Sequence, residues 1–176
     1  MTAAHCFTKI GRVKKEQFPN YVKVGVTTID SKFAVDRRIQ EYKKHEKYTF
    51  PEYYYDVAVI TLEEELTFSE RISPICLPQT ASEHPGKVPI SVQGWGKDAD
   101  GSFGKKVSEV NLGIRRRNEC DHKFKNASFD HGDAIGRKVQ KLMPELSQNV
   151  LFCARANTNS QVGTCFGDSG GPAVEL

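Results

Sequence analysis

Apolar residues in the first half of the chain recur at every second position rather than every third or fourth. Val22, Val24 and Val26 alternate with polar or small neighbours, and residues 32–39 carry a weaker version of the same pattern. A period of two sends successive side chains to opposite faces of an extended backbone, so both segments read as strands. Val57, Ala58, Val59, Ile60, Thr61 and Leu62 form a near-continuous β-branched run, the pattern of a strand buried on both faces. In the second half residues 90–94 predict a strand, the alternating Val110, Leu112 and Ile114 predict another, and residues 150–152 a further one. Val139, Leu142, Met143 and Leu146 stand at helical spacing, although Pro144 limits any helix there. Pro74 and Pro78 bracket Ile75, Cys76 and Leu77. Each proline removes a backbone donor and restricts the residue before it, so a boundary between two halves falls near this stretch. Many short strands separated by turn residues, with no internal repeat, predict an all-β barrel or sandwich.

Composition narrows the class. With 176 residues and 38% hydrophobic content the chain suits one domain or two small packed halves. No apolar run is long enough to cross a bilayer, and Met1-Thr2-Ala3-Ala4-His5 lacks the charged and hydrophobic regions of a signal peptide. A net charge of +3, with Lys14-Lys15, Arg37-Arg38, Lys43-Lys44 and Lys105-Lys106 scattered among acidic residues, does not make a nucleic-acid footprint. Arg115-Arg116-Arg117 reads as a solvated cluster. The five cysteines, Cys6, Cys76, Cys120, Cys153 and Cys165, include no CxxC pair, which argues against metal ribbons and dithiol redox sites. Asn126-Ala127-Ser128 is a glycosylation sequon, usable only in a secretory compartment.

The sharpest local signal is Gly167-Asp168-Ser169-Gly170-Gly171-Pro172. Small residues around one serine let the backbone turn tightly and aim several N–H groups at one point, which can build an oxyanion hole beside a nucleophile. A serine hydroxyl is a poor nucleophile at neutral pH. It needs a base, and the base needs a partner that fixes its tautomer. His5, in Thr2-Ala3-Ala4-His5-Cys6, has small neighbours that allow close packing, and His45, His84, His122 and His131 have no comparable context. Asp56 stands just before the apolar run at 57–62, which sets its carboxylate at the edge of an apolar interior. Chain order then separates the triad families. The order here is His5, Asp56, Ser169; an α/β-hydrolase needs its histidine after the serine, yet only seven residues follow Ser169 and none is histidine. Subtilisin order needs an aspartate before His5, and the four preceding residues contain none.

Thr2-Ala3-Ala4-His5-Cys6, Tyr55-Asp56-Val57-Ala58-Val59-Ile60, Pro74-Ile75-Cys76-Leu77-Pro78, Gly94-Trp95-Gly96 and the Ser169 hexapeptide together resemble the landmarks of chymotrypsin-like (S1) serine proteases, in sequence order. The resemblance implies two six-stranded antiparallel β-barrels, incomplete at both ends, with residues 1–78 as part of the first barrel plus linker and residues 79–176 as part of the second. It implies a secreted, extracellular serine endopeptidase made as a zymogen, with no cofactor and no metal, acting on protein or peptide substrates. His5, Asp56 and Ser169 would be the triad, the N–H groups of Gly167 and Ser169 the oxyanion hole, and Gly163, Thr164 and Phe166 part of the substrate pocket. Asp168 resembles the acid that pairs with a new N-terminal ammonium after zymogen cleavage. Cys120 and Cys153 would form a disulfide, Cys76 would tie the domain to an N-terminal propeptide or heavy chain, and Cys6 and Cys165 would pair outside this sequence. Disulfide use of the cysteines also disfavours a metal set of Cys120, His122 and His131.

Residues 1–176 begin at the histidine motif and stop soon after the serine, so the family's Ile-Val-Gly-Gly terminus and its later Ser-Trp-Gly segment are absent and the fragment alone is expected to be inactive. Between Cys120 and Cys153 lie 32 residues, a loop longer than in digestive trypsins. A rival reading is a protease homologue that binds partners without cutting, but such homologues usually lose a triad residue and this sequence keeps all three. Six residues before Ser169, where a trypsin would carry aspartate, stands Gly163. A cationic side chain in a pocket without that charge would lose its hydration and gain no partner. Cleavage profiling of the intact protein on a peptide library is therefore expected to favour uncharged residues at the cleavage site, and selection for Arg or Lys would contradict this.

Overall fold

The computed structural model describes residues 1–8, 18–50, 54–77, 88–116, 119, 152–156 and 163–176. Seven strands form two antiparallel sheets: β1 (Tyr21–Val24), β2 (Val35–Lys44) and β3 (Ala58–Leu62) make one, in the order β1-β2-β3. The other runs β6-β5-β4-β7, built from β4 (Pro89–Gly94), β5 (Ser108–Ile114), β6 (Ala154–Arg155) and β7 (Ala173–Glu175). The all-β class expected from the alternating pattern, and the antiparallel pairing implied by the resemblance, are what the described residues adopt.

The first sheet takes its shape from β2. Its accessibility alternates as far as Ile39, and the pairing with β3 then slips, from Ile39 opposite Leu62 to Glu41 opposite Thr61. That bulge moves the partly covered positions from 35, 37 and 39 to 42 and 44. The strand is longer than the apolar pattern suggested, because charged residues and this change of parity interrupt the alternation. One face of the sheet packs against a 3-10 turn, Ala4–Phe7. Ala4, Phe7 and Ala58 form a buried cluster with Ile39, Tyr42 and Ile60 against it, and the Phe7 and Tyr42 rings stack at 4.2 Å. The expectation that residues 57–62 are buried on both faces is corrected: Ala58 is buried, whereas Val59 is 53% exposed. Thr61, on the same side of β3 as Val59, is exposed as well.

In the second sheet β4 and β5 pair over six residues, from Pro89 opposite Gly113 to Gly94 opposite Ser108. Ile90, Leu112, Ile114 and Ala156 are buried together, with Val88, Val92 and Val110 packed around them. Ser91 is also buried, and its hydroxyl donates to Glu109 Oε1 at 2.6 Å, which satisfies the polar group that the strand takes inside. The expected strand at 150–152 is not formed at Phe152, which is exposed and precedes β6; Val150 and Leu151 lie outside the described residues, as does the helical pattern at 138–146.

A short run of backbone pairing joins the two sheets. Ile29 N–H donates to Lys105 O at 2.9 Å, and Val107 N–H donates to Thr27 O at 2.7 Å. Thr27 O also accepts the Trp95 indole N–H at 3.2 Å, and Lys105 Nζ reaches Asp30 Oδ2 at 2.7 Å.

Ile114 is the largest fully buried side chain among the described residues. Ile114→Ala is expected to cost about 2–5 kcal/mol and Ile114→Val about 0.5–1.5 kcal/mol. Urea unfolding of the intact protein should show falling midpoints at constant slope.

Candidate active site

His5 sits in the 3-10 turn, and the segment ahead of it is anchored to the start of β3. Thr2 N–H donates to Ala58 O at 2.9 Å and Ala58 N–H to Thr2 O at 2.7 Å. This pairing brings the His5 turn beside Asp56, which contacts His5 at two points: Oδ1 accepts the His5 backbone N–H at 2.8 Å, and Oδ2 lies 2.6 Å from His5 Nδ1. An ionised carboxylate can only accept, so opposite an ionised Asp56 the donor is Nδ1–H, and in the neutral ring the acceptor is then Nε2. The two side chains are partly covered, at 32% and 16% exposure.

The backbone at Asp56 is unusual. Val57 N–H donates to Tyr55 O at 2.7 Å, closing a three-residue turn centred on Asp56. Tyr55 itself has φ of +56°, the sole positive value for a non-glycine among the described residues, at a cost of ~1–2 kcal/mol. The Tyr55 ring stacks on His45 with centroids 4.8 Å apart and planes 14° from parallel. Neither the turn nor the stack was legible from the sequence, since a tyrosine carries no local signal for left-handed backbone.

Ser169 is exposed, in a loop set against the His5 segment. Gly170, with φ of +82°, lies so close that a β-carbon there would collide with Thr2 Oγ1 and meet Ala3 N at 2.8 Å. Cys6 Sγ is 4.0 Å from Ser169 O. Burial, and after it the nearby Asp56 carboxylate, push the Cys6 thiol up from its ordinary value. The thiol stays protonated at neutral pH and does not compete as a nucleophile.

Asp168 is hydrogen-bonded to the backbone. Its Oδ1 accepts Gly96 N–H at 2.8 Å and its Oδ2 accepts Cys165 N–H at 2.9 Å. The carboxylate fills the space that β-carbons on Gly94 and Gly96 would need, so Gly94-Trp95-Gly96 is a cradle for this side chain. Gly171 N–H donates to Asp168 O at 3.0 Å, and Gly167 has φ of +98°. Together these tie down both ends of the serine loop.

The other expected site residues are less gathered. Gly163, Thr164 and Phe166 are exposed, and nothing lies within 4 Å of a β-carbon built on Gly163. A cavity of about 390 Å³ lined by Tyr21, Arg37, Arg38, Glu63 and Glu64 contains none of the candidate catalytic residues. Cys76 and Cys165 are exposed free thiols, and Cys6 is a half-buried one. Cys120, His122 and His131 lie outside the described residues. No group of three metal-ligating side chains occurs among the described residues. No helix among them is long and apolar enough to cross a membrane.

Antiparallel sheets in this order, with a histidine-aspartate pair beside a glycine-rich serine loop, define a trypsin-like fold. The sequence model of the family described as Trypsin matches residues 1–176, and the chain belongs to that family. It is 34% identical over 139 residues to serine proteinase stubble of Drosophila melanogaster, covering 78% of this chain and 16% of that protein. It is 25% identical over 178 residues to the clotting factor G beta subunit of Tachypleus tridentatus, covering 99% of this chain and 53% of the relative. Among solved structures, mouse neuropsin, a serine protease, superposes with a TM-score of 0.70 at 20% identity, over 99% of this chain and 66% of that one. The chain thus spans about half or less of the length of these two curated relatives. The superposition agrees with a two-barrel architecture.

Gly170→Ala would combine an unfavourable backbone angle with a collision against the Thr2 side chain and the Ala3 backbone nitrogen. A loss of more than about 1 kcal/mol is expected. Chemical denaturation of the variant, compared with the parent protein, measures it.

Proposed function

We propose that this chain carries the catalytic residues of a secreted serine endopeptidase, with His5, Asp56 and Ser169 as its triad. The observation that carries this reading is the two-point contact of Asp56 with His5, made beside the loop that bears Ser169. Membership of the trypsin family and serine-protease relatives support it.

In the proposed reaction Ser169 Oγ attacks the carbonyl carbon of the scissile peptide while His5 Nε2 takes the hydroxyl proton. The Nδ1 proton stays on His5, where Asp56 orients the ring and stabilises the imidazolium. The carbonyl oxygen, now an oxyanion, receives the N–H groups of Gly167 and Ser169. His5 then gives its proton to the departing amine, the C–N bond breaks, and an ester to Ser169 remains. Water then enters by the same route, gives a proton to His5 and bonds to the ester carbon; the bond to Ser169 Oγ breaks, His5 returns the proton to Ser169 Oγ, and the acid product leaves. All proton movements are handled by one histidine, so no cofactor is called for.

Asp168 is the proposed activation switch. Its carboxylate already accepts two backbone N–H groups, so an arriving ammonium would rearrange the loop immediately before Ser169. Residues 1–78 and 79–176 are proposed as portions of two barrels, supported by β1–β3 falling in the first and β4–β7 in the second. A bond between Cys120 and Cys153 is supported by Cys153 being disulfide-bonded. The exposed thiol of Cys76 suits a link to a propeptide or heavy chain. Such cysteine use fits an extracellular protein.

A fluorophosphonate probe is expected to label Ser169 in the intact, activated protein and to leave Ser169→Ala unlabelled. Ser169→Ala or His5→Ala should lower turnover by roughly 10³-fold or more while the fold persists. Near-normal turnover in both variants would overturn the assignment.

A further inference from the structure

We propose that the stack of Tyr55 on His45 holds the left-handed turn ahead of Asp56, making both rings positioning residues for the Asp56 carboxylate. The inference rests on the triad reading given above and extends it to residues that touch no substrate.

A left-handed backbone is uncommon for any residue with a β-carbon, and for a bulky side chain such as Tyr55 it is an outlier that persists only where the surroundings impose it. The surroundings here are specific. His45 N–H donates to Val57 O at 2.9 Å, so the backbone of His45 is bonded to the residue just after Asp56. The His45 ring, stacked at 4.8 Å, covers the residue just before Asp56. One residue therefore grips both sides of the turn. The His45 ring is itself fixed, because its Nδ1 accepts Lys47 N–H at 3.1 Å. Tyr48 N–H donates to His45 O at 3.0 Å, and the Lys47 ammonium lies 5.5 Å from the centroid of the Tyr55 ring.

The consequence lies at the carboxylate. Asp56 makes two short contacts with His5, and these need Cα and the carboxylate plane to be set together. If Tyr55 relaxed to an ordinary β or α conformation, the chain direction at Asp56 would swing and at least one contact would be lost. Tyr55 and His45 act through Asp56, so their loss should lower kcat and leave KM nearly unchanged.

The test turns on a residue that accepts left-handed backbone without help. Asparagine does so far more readily than tyrosine. In the intact, activated protein His45→Ala is expected to lower kcat about ten- to a hundredfold with little change in KM. His45→Phe keeps a flat ring and should restore kcat to within about threefold of the parent, well inside the loss expected from misplacement. In a Tyr55→Asn background the turn no longer needs the stack, so adding His45→Ala should cost almost nothing further. The downfield proton resonance of the short His5–Asp56 contact gives a readout that does not depend on turnover. It should weaken in His45→Ala and persist in His45→Phe and in the Tyr55→Asn, His45→Ala double variant. An unchanged kcat and resonance in His45→Ala would overturn the proposal, as would an equal loss from His45→Ala in both backgrounds. If the parent protein neither turned over nor took the fluorophosphonate probe, the triad reading would fail, and the resonance series would still decide the positioning role.

Discussion

A carboxylate that takes both the backbone N–H and the ring nitrogen of one histidine fixes where that residue stands and how its ring faces. Asp56 does this for His5, and the first sheet can be understood as the frame that makes it possible. Thr2 pairs with Ala58, two residues beyond Asp56, so the turn carrying His5 cannot slide along β3. Phe7 is packed on Tyr42 in the same cluster, which stops the turn from rotating away. The apolar packing is modest in extent, but it lies directly behind the polar contact. Burial there serves geometry as much as stability.

The serine loop depends on a second carboxylate used in the opposite sense. Asp56 reaches a side chain, the ring of His5, whereas Asp168 accepts from two backbone N–H groups. Two adjacent residues of one loop thus have separate duties: Asp168 points inward as an anchor, and Ser169 is left exposed. Gly94 and Gly96 make this possible by leaving room at and just beyond the end of β4, so this segment meets the serine loop through missing side chains as well as through the Gly96 N–H bond.

Much of this was legible from residue order alone. The alternation of Val110, Leu112 and Ile114 reports a strand faithfully because β5 is regular and one end of it is buried. β2 hid most of its length, since Asp36, Arg37, Arg38, Lys43 and Lys44 supply little apolar signal and the bulge after Ile39 exchanges the two faces. β7 has three residues, too few for any period to register. The His5, Asp56 and Ser169 motifs stand out because each has small or apolar neighbours that serve close approach. The role of His45 could not be read in the same way. Its ring meets Tyr55 only after the chain has turned back on itself, and neither residue has a distinctive local pattern.

Thr27 offers a different kind of consequence. Its one carbonyl oxygen receives an amide from the segment after Lys106 and the indole of Trp95, so both acceptor positions are committed to the opposite sheet. The neighbouring amides of Ile29 and Val107 are held by the same seam and by neither hydrophobic cluster. Deuterium uptake at those two amides would follow the parting of the two sheets, while uptake at Ile114 would follow the opening of a core. The seam thus makes hinge motion between the halves observable separately from unfolding, at backbone positions that take no part in the chemistry.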